Sequence, residues 1–421
     1  MTNGSPKDPL EGVRVLELGS YIAAPTAGRL LADFGAEVIK VERPQTGDEI
    51  RSWRLHSGTT SMLYRTINRN KKSIVADLRE ESGQNLVLEL VRHVDVVLEN
   101  FRPGTLEKWG LSPARLSEVN PELIFVRISA YGQTGPQSKQ PGFGAIAEAT
   151  GGLRALTGDP DRTPVRVGVS IADSIAGLYG AFGAVLGLFD MLSRRQASGI
   201  ASQPATLAER TIDVALNESV LSMMESLIPD YEAFGINRER VGGRMEGISP
   251  TNSYRCLEGR SVVIAGNGDA IYERFMTAIG RPELGTRPDL ANNKLRWTKR
   301  EELDEAINSW TETRTVDEVL TTLNDAGVPA GLIYTAADIS TDPQYLARGM
   351  VQKMDVSTGD EQLTGVGFPG IVPQQGGTPR RIRNLGPELG EHTEQVLAEL
   401  LGKTDTEIAD FLAQTNGVLR G

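Results

Sequence analysis

The stretch from Val13 to Glu42, VRVLELGSYIAAPTAGRLLADFGAEVIKVE, decides the fold. It holds two short β-branched runs, Val13–Leu18 and Glu37–Glu42, with a helical pattern, Ala27–Phe34, between them. Two strands joined through a helix run parallel, because a tight hairpin is not open to them. The alternation continues outward, with strands expected at Ser73–Leu78, Asp95–Glu99 and Leu123–Ala130 and a helix at Glu81–His93. Right-handed crossovers of this kind predict an α/β fold, an open, doubly wound, mostly parallel sheet of Rossmann-like character. Ligands of such sheets sit beyond the carboxyl ends of the strands.

A chain of 421 residues exceeds one core of ordinary size, so a second domain is expected. The uncharged apolar run Ser174–Phe189 carries Gly177, Gly180, Gly183 and Gly187 and falls short of the roughly 20 residues of a spanning helix. It reads as a buried helix, near 174–192, in close contact with its neighbours. A connecting stretch, Arg194–Pro204, then leads to Thr211–Ala215 and a helix through Asn217–Phe234. Gly, Arg and Met around Gly235–Pro250 open a smaller inserted α+β domain, with a hairpin of Ser253–Leu257 and Ser261–Ala265 and helices near 270–279, 299–313 and 315–325. Val328–Tyr334 is expected as a strand returning to the large domain, followed by a hairpin of Met350–Val356 and Gln362–Val366 and helices near 389–401 and 405–414. The scheme is thus 1–205 and 328–421 for the two parts of the large domain, 206–234 for a linker and 235–327 for the small domain.

Composition narrows the function. Lys+Arg 44 against Asp+Glu 55 leaves −11, which disfavours a nucleic-acid duplex or an anionic membrane as partner. The single Cys256 and the scattered His56, His93 and His392 argue against a metal centre or a redox pair. The polar opening, Met1 to Asp8, lacks a secretory pattern, and a cytoplasmic location is expected.

The residues after each strand converge on one crevice in a doubly wound sheet. They are Ser20 to Pro25 after the first strand, Arg43 after the second, Arg79 after the third and Asn100-Phe101-Arg102 after the fourth, with Lys108 nearby. Singly, each cation reads as a loop-solvating charge. Together, on an acidic chain, they suit a polyanionic nucleotide. The first turn has no Gly-x-Gly-x-x-Gly, so a dinucleotide site is disfavoured. Gly402-Lys403-Thr404 imitates the end of a phosphate loop, but Leu397 stands where its first glycine belongs, and it reads as a helix terminus.

The stretches Pro9–Leu18, Leu30–Pro44, Asn68–Ser73, Glu99–Gly104, Gly132–Pro136, Gly327–Ala330 and Gly390–Thr393 resemble, in order, the signature of the CaiB/BaiF family, the class III CoA-transferases. The resemblance covers nearly the whole chain. Set against formyl-CoA transferase, it implies a coenzyme A site at Ile22, Ala23, Arg43, Ala76, Asp77, Leu78, Arg79, Asn100, Phe101, Arg102 and Lys108. A further family contact segment falls at Gln140–Phe143, where Pro141 replaces a lysine. The resemblance also implies coenzyme A as a substrate and product thioester, no metal, organic-acid partners and an interlocked homodimer.

Val167–Ser174 is similar to the family's catalytic stretch, and Asp173 matches its nucleophile. On its own Asp173 reads as a helix cap, and the readings are compatible, since a helix N-terminus favours a negative charge. The implied chemistry runs through an aspartyl anhydride and an aspartyl-CoA thioester. Backbone amides of Val241–Arg244 are candidates for oxyanion donors, and Arg51, Arg54 and Arg244 for a distal substrate carboxylate. The wording of Ser249–Tyr254 and Ile264–Asp269 suggests a group acting on dicarboxylates with succinyl-CoA as donor. Two alternatives stand beside this: an α-methylacyl-CoA racemase, whose histidine is Phe143 here, and a non-catalytic CoA-binding partner subunit.

Overall fold

The computed structural model describes residues 8–58, 60–197, 205–359 and 361–417. The expected connector Arg194–Pro204 and the opening Met1 to Asp8 therefore fall mostly outside the described residues. The strands are β1 (Arg14–Glu17), β2 (Glu37–Glu42), β3 (His56–Ser57), β4 (Thr60–Ser61), β5 (Lys72–Val75), β6 (Val96–Glu99), β7 (Ile124–Ser129) and β8 (Thr211–Ala215). They continue with β9 (Thr251–Arg255), β10 (Ser261–Ala265), β11 (Ala330–Leu332), β12 (Val351–Ser357) and β13 (Gln362–Pro369).

Contacts divide the chain into two units. One comprises Met1–Gly152, Val167–Met224 and Pro343–Gly421, and the other Leu153–Arg166 and Glu225–Asp342. The first unit is built on a six-stranded sheet, in the order β5-β2-β1-β6-β7-β8, with every pairing parallel. This is the expected doubly wound order, and it turns between β1 and β6. Val15, Leu16, Val38, Ile39, Val96, Val97 and Phe125 are buried. Strands covered on both faces read as nearly unbroken apolar runs, which is why they were legible.

One face of the sheet packs on helices Glu81–Val91 and Pro113–Val119 and on the C-terminal segment through Val396, Leu397 and Ile408. The helix Ile171–Gln196 covers the other face, and its glycines explain how closely. A Cβ on Gly177 would lie 2.7 Å from Ala23 O, one on Gly180 2.9 Å from Ile128 Cδ1, and one on Gly187 2.9 Å from Ile124 Cγ2. The helix is longer than expected and only half of it is covered. By length and composition it would suffice to cross a membrane. Its outer face leaves Leu178, Phe182, Leu186 and Phe189 exposed, which corrects the expectation of a buried helix.

The span 206–234, expected as a linker, carries the edge strand β8 and the helices Leu216–Leu221 and Leu227–Phe234. The break in the expected helix falls at the boundary of the units, where Glu225 has φ 52°. The second unit holds the antiparallel sheet β11-β10-β9, covered by helices Asp269–Ala278, Arg300–Thr311 and Val316–Asp325. The segment Val328–Tyr334 was expected to return to the large domain. Instead β11 pairs with β10, Ile264 opposite Ala330, because Val328 completes the core of this unit. The hairpin β12–β13 lies in the first unit and packs on Phe34 and Met62.

Candidate active site

The carboxyl ends of four adjacent strands, β5, β2, β1 and β6, wall a cavity of about 270 Å³. Of the residues expected there, Arg43, Ala76, Asp77, Leu78, Arg79, Asn100 and Phe101 line it. Ile22 and Ala23 are buried directly after Tyr21, where the helix Ala23–Asp33 begins. Arg102 and Lys108 are exposed on the segment after β6 and are not among the lining residues. Arg43 pairs with Glu49, and Arg79 donates to Asp77 from Nε at 2.9 Å. Both arginine side chains are half or more exposed, at 50% and 65%, so these pairs contribute no more than about 1 kcal/mol each.

Two lining residues, Trp109 and Glu49, carried no signal in the sequence, while Tyr21 falls within the Ser20 to Pro25 stretch expected at the crevice. Trp109 meets Phe101 edge-on, with centroids 5.1 Å apart, and makes an aromatic wall. Glu49 answers Arg43, and Tyr21 closes the side nearest β1. Tyr21 has φ 66°, a conformation uncommon outside glycine and costly for a bulky residue. Its backbone is held from both sides. Asp48 Oδ1 accepts the Tyr21 N–H at 3.0 Å, while Asn100 accepts from Ser20 N at 2.9 Å and donates to Ser20 O at 2.7 Å.

Below the cavity lies a buried network of three carboxylates and three cations. Lys40 Nζ reaches Glu17 Oε1 at 3.0 Å, Asp48 Oδ2 at 2.8 Å and Gly19 O at 2.8 Å. Lys71 Nζ takes the other Glu17 oxygen at 2.7 Å. Glu42 accepts two bonds from Arg51, each 2.8 Å, and one from Ser73 Oγ at 2.6 Å. Burial drives the Glu42 carboxyl upward, but Arg51 and Lys40 outweigh it and hold it down at about 2. Burial of Lys71 wins over its pairing with Glu17 and brings it down to about 8. Arg51, stacked 3.7 Å over the Tyr64 ring, is therefore an internal strut and not a substrate arginine. Arg244 is likewise committed, to Asp304 at 2.7 Å within the second unit. Arg54 stays exposed beside Trp53.

Asp173 is not the cap of its helix. Ser170 is, and Asp173 stands in the first turn, half-buried. Its carboxylate lies on Gly144, where any Cβ would overlap Oδ2. Phe143, immediately before, points its ring edge-on at Tyr21 with centroids 6.1 Å apart, and Tyr21 meets Trp53 at 5.3 Å. From the other side, Gly177, one turn after Asp173, is seated on Ala23 O. Tyr21 thus lines the cavity and touches Phe143, the residue before the Gly144 on which Asp173 lies. Position 143 carries no exchangeable proton, unlike a racemase histidine. The Gly242 and Arg244 amides, expected as oxyanion donors, bond to Gly158 O and Val241 O within the second unit.

The model of CoA-transferase family III matches residues 10–393. The succinyl-CoA–D-citramalate CoA-transferase of Chloroflexus aurantiacus is 44% identical over 416 residues, covering 98% of this chain and 99% of its own. The succinate–glutarate CoA-transferase of Agrobacterium fabrum is 35% identical over 401 residues, 94% of this chain and 96% of its own. Among solved structures, a CaiB/BaiF family protein from Brucella suis superposes with a TM-score of 0.80 at 33% identity, over 94% of this chain and all of its own. With a doubly wound sheet that gathers a cavity at its strand ends, and with matches of this extent to the family model and to these relatives, the chain belongs to CoA-transferase family III.

Proposed function

We propose that the chain moves coenzyme A from succinyl-CoA to a second dicarboxylic acid, with Asp173 as covalent carrier. The observation that carries this reading is the Asp173 carboxylate itself, laid on Gly144 at the start of a helix and one aromatic residue away from the cavity. The relatives that act on citramalate and glutarate supply the substrate class.

In this reading Arg43 and Arg79 exchange their weak internal partners for phosphates, and Phe101 with Trp109 offers a flat surface to the base. Ala76 to Leu78, Ile22 and Ala23 give close backbone approach, while the exposed Arg102 and Lys108 attract the anion. Asp173 attacks the thioester carbonyl, the carbon–sulfur bond breaks, and a mixed anhydride and CoA thiolate remain. The thiolate attacks the aspartyl carbon and expels the donor acid, leaving aspartyl-CoA. The acceptor carboxylate then repeats the steps in reverse order, and Asp173 is regenerated with no net proton or electron transferred. Weak nucleophilicity of a carboxylate makes alignment the main requirement, which a carboxylate fixed against backbone meets. Arg54, exposed beside Trp53, is assigned to the distal carboxylate of the acids.

The exposed row Leu178, Phe182, Leu186 and Phe189 is the face we assign to a homodimer, in a cytoplasmic protein. Light scattering at low concentration should return twice the chain mass. The test of the chemistry is mass spectrometry. Incubation with succinyl-CoA should leave coenzyme A on the Asp173 peptide, and Asp173→Ala should leave none. Transfer at an undiminished rate by that variant would end the proposal.

A further inference from the structure

The geometry assigns Tyr21 as a substrate-contacting residue, the wall along which the arm of the coenzyme passes from the cavity to Asp173. This inference rests on the CoA-transferase chemistry proposed for Asp173. Three independent observations converge on it. Tyr21 lines the cavity, and the same ring touches Phe143, the residue before the glycine on which the Asp173 carboxylate lies. It also touches Trp53, so its ring is the centre of an aromatic row of Trp53, Tyr21 and Phe143.

The second observation is the backbone. A tyrosine at φ 66° persists only where its surroundings over-determine it. Here Asp48 and Asn100 do so, and Asp48 is anchored in turn by the buried Lys40. A glycine would take this conformation without cost, so the chain tolerates strain to keep a large ring here. The third is polarity. Burial, and then Glu49, to which the hydroxyl donates, raise the phenol above its ordinary value, and Glu49 itself lines the cavity. One side chain thus carries a hydroxyl, held by Glu49, at the cavity and an apolar ring against Phe143, the mixed chemistry that a pantetheine arm, with amides and methylenes, would meet.

The test compares Tyr21→Gly and Tyr21→Phe with the unmodified enzyme. If the ring were only structural, glycine would relieve strain and leave catalysis intact. We expect the glycine variant to keep or raise its melting temperature while kcat/KM for the acyl-CoA falls about 100-fold, the scale of a small misplacement of reacting groups. Tyr21→Phe should recover most of that loss, because the ring is kept. The rate at which coenzyme A appears on the Asp173 peptide should fall in step with turnover in the glycine variant. An adduct formed by the unmodified enzyme and by Tyr21→Gly at equal rates would overturn the role of Tyr21 and leave the Asp173 chemistry standing. No adduct in the unmodified enzyme would overturn both, and a phenylalanine variant as impaired as the glycine one would overturn the assignment to the ring.

Discussion

Two sets of ion pairs lie within one cavity's width of each other and do opposite things. Lys40, Glu17, Asp48, Glu42 and Lys71 are buried below the strand ends and Arg51 is partly so, and each carboxylate holds two or more partners. Arg43–Glu49 and Arg79–Asp77, on the wall above, are single pairs with their arginine side chains half or more exposed. Water and burial, more than charge count, separate them. The lower set fixes two loops, because Asp48 ties the backbone of Tyr21 to the turn after β2. The upper set is weak enough for a phosphate to displace.

The comparison breaks most visibly at Lys40. Replacing it by methionine leaves Asp48 and one oxygen of Glu17 buried without a cation, and breaking a buried pair in this way costs about 3–5 kcal/mol. Urea unfolding of Lys40→Met should show that loss, and a change below about 1 kcal/mol would place Lys40 with the surface pairs.

Glu42 gives a pH test of somewhat smaller size. Its folded value of about 2 lies below the ordinary carboxylate value, so its contribution is complete above the unfolded value and fades as pH falls towards 2. The shift corresponds to about 3 kcal/mol. Glu42→Gln should flatten that part of the stability curve between about pH 4.5 and 2, measured by acid titration of the unfolding midpoint. A curve parallel to that of the unmodified protein would contradict it.

The smallest expected effect on stability belongs to Arg79. Arg79→Ala should leave unfolding within about 0.5 kcal/mol, as surface substitutions do, while raising KM for the acyl-CoA about 10-fold with little change in kcat. An unchanged KM would remove Arg79 from the coenzyme site.

The same contrast accounts for what the sequence disclosed. Glu37–Glu42 was legible to the residue because Val38, Ile39 and Val41 form a β-branched run, and the cavity followed because topology alone gathers the strand ends. Features that depend on distant partners left no local mark. Tyr21 is legible only as part of the loop after the first strand, and its strained backbone shows only where Asp48, 27 positions on, accepts its amide. Arg51 resembled a substrate arginine because its partners Glu42 and Pro387 O lie on other segments. Trp109 joins the wall only through Phe101. The outer face of Ile171–Gln196 was misjudged for a related reason: glycines at short spacing mark one packed face and say nothing of the opposite one.

The central claim is that Asp173 exchanges its own oxygen with the acids it serves. Turnover with an acceptor dicarboxylate labelled with oxygen-18 in both carboxylates, followed by mass analysis of the Asp173 peptide, tests it most directly. The proposed steps leave a labelled oxygen on Asp173 and one labelled oxygen in the thioester carbonyl of the product. Continued transfer with no label on Asp173 would contradict the account.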